Sequence, residues 1–210
     1  MIKILIADDH PIVRQGLKQI LAEESDMGEF GEAQNSQEVM DLIRKKEWDI
    51  VILDITMPGR GGLEILKEIR SERPKLPVLI LSIHPEDQYA VRALKAGAAG
   101  YMTKESAPDD LIKAIRKVLK GGKYISPTLA ESLALFLERD DRKSPHEKLS
   151  DREYQVMCMI AEGKKVKEIA DTLALSVKTI STYRARILEK MRMRSNADLI
   201  HYAIQNKLIN

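Results

Sequence analysis

The 210-residue chain is 44% hydrophobic and 31% charged with 4% aromatics, enough apolar side chain for a packed core and too much for a disordered polymer. Its net charge of +2 excludes neither a nucleic acid nor a protein partner, and its length suits two modest domains. With one cysteine, Cys158, an internal disulfide is excluded, and no apolar run nears the roughly 18 residues that span a bilayer, so a soluble, unprocessed cytoplasmic protein with no membrane contact is expected.

Residues 1–122 alternate short β-branched runs with amphipathic stretches and contain no internal repeat. The runs predict strands at 2–7, 30–34, 50–53, 78–82 and 100–102, and the stretches predict helices at 11–24, 37–46, 63–72, 86–96 and 108–120. Strands apolar almost throughout are buried on both faces, so this (βα)5 order predicts an α/β fold, a doubly wound parallel sheet with right-handed crossovers. Pro11 suits a first helical turn, Ser36 is placed to cap the second helix, and Pro108 with Asp109 and Asp110 complements the dipole of the fifth.

Residues 123–148 read as a linker, with a helix over 127–137 and a charged tether from Glu138 to Pro145. From Leu149 to residue 210 the pattern is all-α. Ser150 and Glu153 form a capping box, and the helix they open stops at Gly163. Val166, Ile169, Ala170 and Leu173 share one face of a second helix, Ala174-Leu175 makes a tight connection, and Ser176 caps a third. A helix at 196–205 completes a four-helix unit. Residues 148–210 carry 12 Lys and Arg against 7 Asp and Glu, a surplus that suits a polyanion but equally a solvated face.

Chemistry gathers at strand ends. Asp8 and Asp9 close the first strand and Asp54 follows the third, and in a doubly wound sheet the carboxyl ends flanking the switch point form the ligand crevice. Two carboxylates 4 Å apart repel by about 4 kcal/mol at an effective dielectric of about 20, so a cation belongs with them, and oxygen-only ligands point to Mg²⁺. Asp54 is then a candidate nucleophile toward a phosphoryl donor, with Ser82 offering a hydroxyl and Lys104 a positive charge. Taken singly, these residues could as well be turn caps and a surface lysine.

The pair Asp8-Asp9, the stretch Asp54-Ile55-Thr56-Met57-Pro58, Gly61-Gly62, Leu81-Ser82 and the run from Gly97 to Lys104 resemble the receiver domain of two-component response regulators over about 120 residues. The resemblance implies a flavodoxin-like receiver in which Asp54 is the phosphoacceptor. It implies that Asp8, Asp9, Asp54 and the Thr56 carbonyl hold Mg²⁺ and that Ser82 and Lys104 grip the phosphoryl group. Tyr101 would be an aromatic switch that turns inward as Ser82 is drawn to the phosphate; otherwise it is an exposed strand aromatic. Gly61, where Asp or Asn is frequent, and Glu105, where proline is frequent, depart from the pattern.

On a helical wheel for 176–191, Ile180, Ile187 and Met191 share one face and Lys178, Ser181, Thr182, Ala185 and Arg186 the opposite one. Small, hydroxyl-bearing and basic groups can read base edges in the major groove, with basic side chains at the margins on phosphates. Leu149 to Glu153, Glu162-Gly163, Lys167 to Ala170, Leu175 to Thr179 and Leu188 to Met191 resemble the LuxR-type helix-turn-helix, and with the receiver the chain is similar to the NarL/FixJ class. That assigns DNA contacts to Lys165, Lys178, Thr179, Ser181, Thr182, Ala185 and Arg186, with Arg184 at most a flanking phosphate contact. It implies a histidine kinase partner and a homodimer on double-stranded promoter DNA, paired through the last helix. Two rival readings are an enzyme, a phosphatase or transferase acting on a diffusible substrate through the same carboxylates, and a phosphorylation-independent DNA binder or an adaptor whose receiver only docks proteins.

Overall fold

Short apolar strands in parallel register build the sheet: β1 (Ile2–Ala7), β2 (Met27–Ala33), β3 (Ile50–Leu53), β4 (Val78–Ser82) and β5 (Gly100–Thr103). In the computed structural model, which describes residues 1–57, 60–138, 144–206 and 208–209, they lie in the order β2-β1-β3-β4-β5. They alternate with α1 (Pro11–Ala22), α2 (Ser36–Lys45), α3 (Gly62–Glu72), α4 (Glu86–Lys95) and α5 (Ala107–Leu119). This is the expected doubly wound α/β fold, and its order reverses between β1 and β3.

Strand alternation divides the apolar residues between two layers. Ile4, Ile6, Ile50, Ile52, Leu79 and Leu81 form one core with Leu17 and Leu21 of α1 and Leu111 and Ile115 of α5. Leu5, Val51, Leu53 and Ile80 are equally buried and must face the other side, where Val39, Ile43, Leu66 and Ile69 of α2 and α3 also lie buried. Each such side chain contributes about 1.5–3 kcal/mol, and together they hold the carboxyl ends of β1 and β3 rigidly side by side.

Two local expectations are corrected. β2 starts earlier than its composition suggests because pairing with β1 sets its ends, Ile2 opposite Met27 and Ala7 opposite Ala33. Ser36 does not cap α2. Asn35 does, accepting the Glu38 N–H at 3.0 Å, while Ser36, one residue inside the helix, accepts the Arg60 N–H at 3.2 Å. Asparagine caps as well as serine, and Asn35 stands at the residue just before the helix begins.

The chain divides into two compact units, Met1–Leu133 and Ala134–Asn210, within α6 (Pro127–Glu138). Pro58 and residues 139–143 of the expected tether lie outside the described residues. The second unit contains a 3-10 helix not foreseen from composition (Pro145–Lys148), then α7 (Asp151–Ala161), α8 (Val166–Thr172), α9 (Val177–Met191) and α10 (Asn196–Gln205). The Ser150–Glu153 capping box forms, with the Ser150 N–H to Glu153 Oε2 at 2.8 Å. Arg152 to Ala161 of α7 are all buried, Cys158 among them as a small core residue, and α9 and α10 pack around them. Two charges go inside with α7. Arg152 donates to Gln155 and to the Leu173 carbonyl, and Glu153 accepts from Lys190 at 2.6 Å.

Candidate functional site

Asp8 and Asp54 leave neighbouring central strands at the same edge of the sheet, and both are 1% exposed. The loop after β3 is held close by Gly62, where a Cβ would lie 2.5 Å from Ile55 Cα and 2.6 Å from the Asp54 carbonyl oxygen. Ligand atoms of Asp8, Asp9, His10 and Asp54 all fall within 4.8 Å of one another. Lys104, one residue past β5, puts Nζ 2.6 Å from Asp8 Oδ2 and 2.7 Å from Asp54 Oδ2. Burial pulls the Lys104 ammonium down, but the charges and hydrogen bonds of Asp54 and Asp8 outweigh it and hold the pKa above the ordinary lysine value.

The carboxylates are also oriented by their own loops. Thr56 donates its N–H to Asp54 Oδ1 at 3.0 Å, and its hydroxyl lies 2.9 and 3.0 Å from the two Asp54 oxygens. Asp8 Oδ1 accepts the His10 N–H at 2.8 Å, and Arg14 donates to the Asp8 carbonyl at 2.7 Å. Asp9 Oδ1 is shut from solvent without an aligned hydrogen-bond donor, although His10 stands beside it, and buried Asp8 Oδ2 meets only the Lys104 ammonium. Three carboxylates thus face one ammonium, and oxygen lone pairs are left over. That donor set fits a hard divalent cation.

Of the sequence-predicted residues, Asp8, Asp9, Asp54, Thr56 and Lys104 come together directly. Ser82 is fully buried and accepts the His84 N–H at 3.1 Å; among the described residues no hydrogen bond joins it to Asp54. Tyr101 is not an exposed strand aromatic: its ring is turned inward, 0% exposed, and its hydroxyl donates to the His84 carbonyl at 2.8 Å. His84 therefore links Ser82 to Tyr101. Sequence reading missed His10, although its place next to Asp8-Asp9 was the available signal, and missed the Thr56 hydroxyl, whose reach back to Asp54 depends on the loop conformation.

In the second unit the wheel assignment holds. Ile180 and Ile187 are fully buried and Met191 is 5% exposed, while Lys178, Ser181, Thr182, Ala185 and Arg186 are exposed and Thr179 is half-buried. Ser176 caps α9 by accepting the Thr179 N–H at 3.0 Å. Ser181 and Thr182 donate their hydroxyls to the carbonyls of Val177 and Lys178, which leaves their oxygens outward as acceptors. Lys165 is exposed just before α8. Arg184 is half-buried and donates to Asn196 Oδ1 at 2.6 Å, joining α9 to α10. Val177, half exposed at the start of α9, is an apolar group the sequence reading left out.

An acidic crevice at a parallel-sheet switch point, together with a helix-turn-helix that offers a basic, hydroxyl-rich helix, defines a regulator with a receiver and a DNA-binding part. Residues 4–116 match the family described as response regulator receiver domain, and residues 147–203 match the bacterial regulatory proteins of the luxR family. The response regulator GacA of Pseudomonas aeruginosa is 39% identical over all of this chain and 99% of its own length. UvrY of Escherichia coli K12 is 37% identical over all of this chain and 97% of its own. Among solved structures, RcsB from Salmonella enterica serovar Typhimurium, bound to promoter rprA with the phosphomimetic BeF3-, aligns at TM-score 0.67 and 28% identity over 96% of this chain and 97% of that one. The chain belongs to the NarL/FixJ class of two-component response regulators and is a DNA-binding transcriptional regulator rather than a conventional enzyme.

Proposed function

We propose that Asp54 is the phosphoacceptor and that its modification, made by a histidine kinase or a small acyl phosphate, controls promoter binding by the second unit. The carrying observation is that Asp54 and Asp8, each 1% exposed, meet Lys104: the carboxylate is oriented, dry and faced by a cation where negative charge builds. An Asp54 oxygen attacks the phosphorus; the bond from phosphorus to the donor nitrogen or oxygen breaks, and its electron pair leaves with the donor. Lys104 neutralises the phosphoryl oxygens, and the Thr56 hydroxyl gives up the Asp54 oxygen that enters the acyl phosphate. Ser82 turns toward the new group, and Tyr101 keeps the inward place it already holds with its hydroxyl on the His84 carbonyl. Asp8, Asp9, Asp54 and the Thr56 carbonyl would hold Mg²⁺, which supplies charge neutralisation for the transferring group.

Residues 1–122 serve as the receiver, 123–148 as the connection and 149–210 as the DNA reader. Lys178, Thr179, Ser181, Thr182, Ala185 and Arg186 face the major groove, and Lys165 takes a phosphate. The outward oxygens of Ser181 and Thr182 suit base amino groups. The promoter-bound RcsB relative supports duplex DNA as the partner, and a homodimer paired through α10 doubles the phosphate contacts. Among the described residues no helix is long and apolar enough to cross a membrane, in keeping with a cytoplasmic site of action. Swinging such a switch from 1:99 to 99:1 takes about 5.5 kcal/mol, a large demand on a few charge-assisted hydrogen bonds, so switching is graded.

The test incubates the chain with Mg²⁺ and acetyl phosphate, maps the modified residue by mass spectrometry and measures binding to genomic fragments before and after. A label on Asp54, lost in Asp54→Ala, with tighter DNA binding is expected. A label elsewhere, or unchanged DNA affinity, overturns the reading.

A further inference from the structure

After α5 the chain returns to the sheet before it enters α6. Tyr124 donates its N–H to the Ala99 carbonyl at 2.9 Å and pairs in parallel with Gly100, extending the sheet by one bridge beside β5. Gly100 makes room for this: a Cβ there would lie 2.8 Å from both the Cβ and the carbonyl oxygen of Tyr124. Two residues on, the Ser126 hydroxyl donates to Glu86 Oε2 at 2.5 Å while its oxygen accepts the Leu129 N–H at 3.0 Å, capping the first turn of α6. Leu129 is fully buried. The root of α6 is therefore fastened to the first unit by a β-bridge, a carboxylate and an apolar side chain.

Glu86 opens α4 only two residues after His84, the residue that gives its N–H to Ser82 and takes the hydroxyl of Tyr101. The 83–86 segment is thus shared, with Ser82 and Tyr101 at one end and Ser126 at the other. We propose that Glu86 and Ser126 form a latch through which phosphorylation sets the freedom of the linker helix. For Ser82 to reach a phosphoryl oxygen while keeping the His84 N–H, His84 must follow it; that movement of the 83–86 segment displaces Glu86, and Ser126 loses its carboxylate. Glu86 is here a positioning residue, distant from the phosphoryl chemistry, and the proposal rests on Asp54 being the phosphoacceptor.

Hydrogen exchange of the full chain, read on peptides covering residues 123–133 with Mg²⁺ alone and with Mg²⁺ plus acetyl phosphate, tests it, with Asp54 mapped in the same samples. Phosphorylation is expected to speed exchange there roughly fivefold, the size of losing one hydrogen bond. Glu86→Ala and Ser126→Ala should exchange faster without any donor and respond little to it, whereas Glu86→Gln, which keeps an acceptor oxygen, should restore both protection and response. A labelled Asp54 with unchanged exchange, or Glu86→Ala as protected as the parent chain, overturns the latch alone. An unlabelled Asp54 overturns the site reading and the coupling with it.

Discussion

Replacing Lys104 by methionine removes the ammonium that stands 2.6 Å from Asp8 and 2.7 Å from Asp54 while keeping most of the side-chain volume. At an effective dielectric of about 20, a charge pair at that separation attracts by roughly 6 kcal/mol, from which the cost of drying the ammonium must be subtracted. Breaking a buried pair costs about 3–5 kcal/mol, and the 13% exposure of the Lys104 side chain moves the expectation to about 2–4 kcal/mol. The carboxylates left behind repel, so a divalent cation should bind the variant more tightly than the parent, with which it competes for the same oxygens. At a hundredfold excess over its Kd the ion returns about 2.7 kcal/mol. The assay is urea unfolding near neutral pH followed by fluorescence of Trp48, the single tryptophan, which is buried in the first unit and bonded to the Leu42 carbonyl. With a slope of about 2 kcal/mol per molar urea, the midpoint should fall by about 1–2 M in chelator and recover most of that in Mg²⁺. An unchanged midpoint, or an equal loss with and without Mg²⁺, would refute the idea that Lys104 substitutes for a cation among these acids.

Three further outcomes can be measured directly. Lys165→Ala should weaken binding to all DNA fragments alike and lower the slope of log affinity against log salt by about 1, read by fluorescence anisotropy. Burial pushes the Glu153 carboxyl up, but Lys190 and the Ser150 N–H outweigh it and hold the pKa below the ordinary glutamate value. Its contribution is therefore present above the unfolded pKa of about 4.3 and lost as pH falls through the lower folded value. Glu153→Gln should cost about 1–2 kcal/mol at neutral pH and flatten that part of the acid dependence, seen by circular dichroism in the transition Trp48 does not report. Arg192 ends α9 at φ 55°, where a side chain is strained, and Arg192→Gly should raise the stability of the second unit by about 0.5–1 kcal/mol. A lowered melting temperature would contradict it.

Much of the site is legible in the sequence, because a buried parallel strand is apolar along its length and the first charged residue beyond it must stand at its carboxyl end. Asp8, Asp54 and Lys104 were found that way, and the faces of α9 followed from the 3.6-residue period alone. What escaped were contacts made by backbone curvature: the Thr56 hydroxyl folded back on Asp54, His10 turned onto Asp9, and Asn35 taking the cap from Ser36. The 3-10 helix at Pro145–Lys148 escaped for a different reason. Its own residues carry little apolar signal, and it is anchored from afar, with His146 Nδ1 2.8 Å from the Tyr202 hydroxyl.

Pattern and period, which are properties of neighbours in the chain, determined the alternation of strand and helix, the acids at the strand ends and the exposed polar face of α9. Only the folded structure decided which partners those groups keep: that Lys104 sits between Asp8 and Asp54, that Ser82 and Tyr101 meet at His84, and that Ser126 reaches Glu86. A hydrogen bond requires heavy atoms to meet within about 3 Å. Residues 40 or 50 positions apart reach that precision only after the sheet has closed and its core has packed.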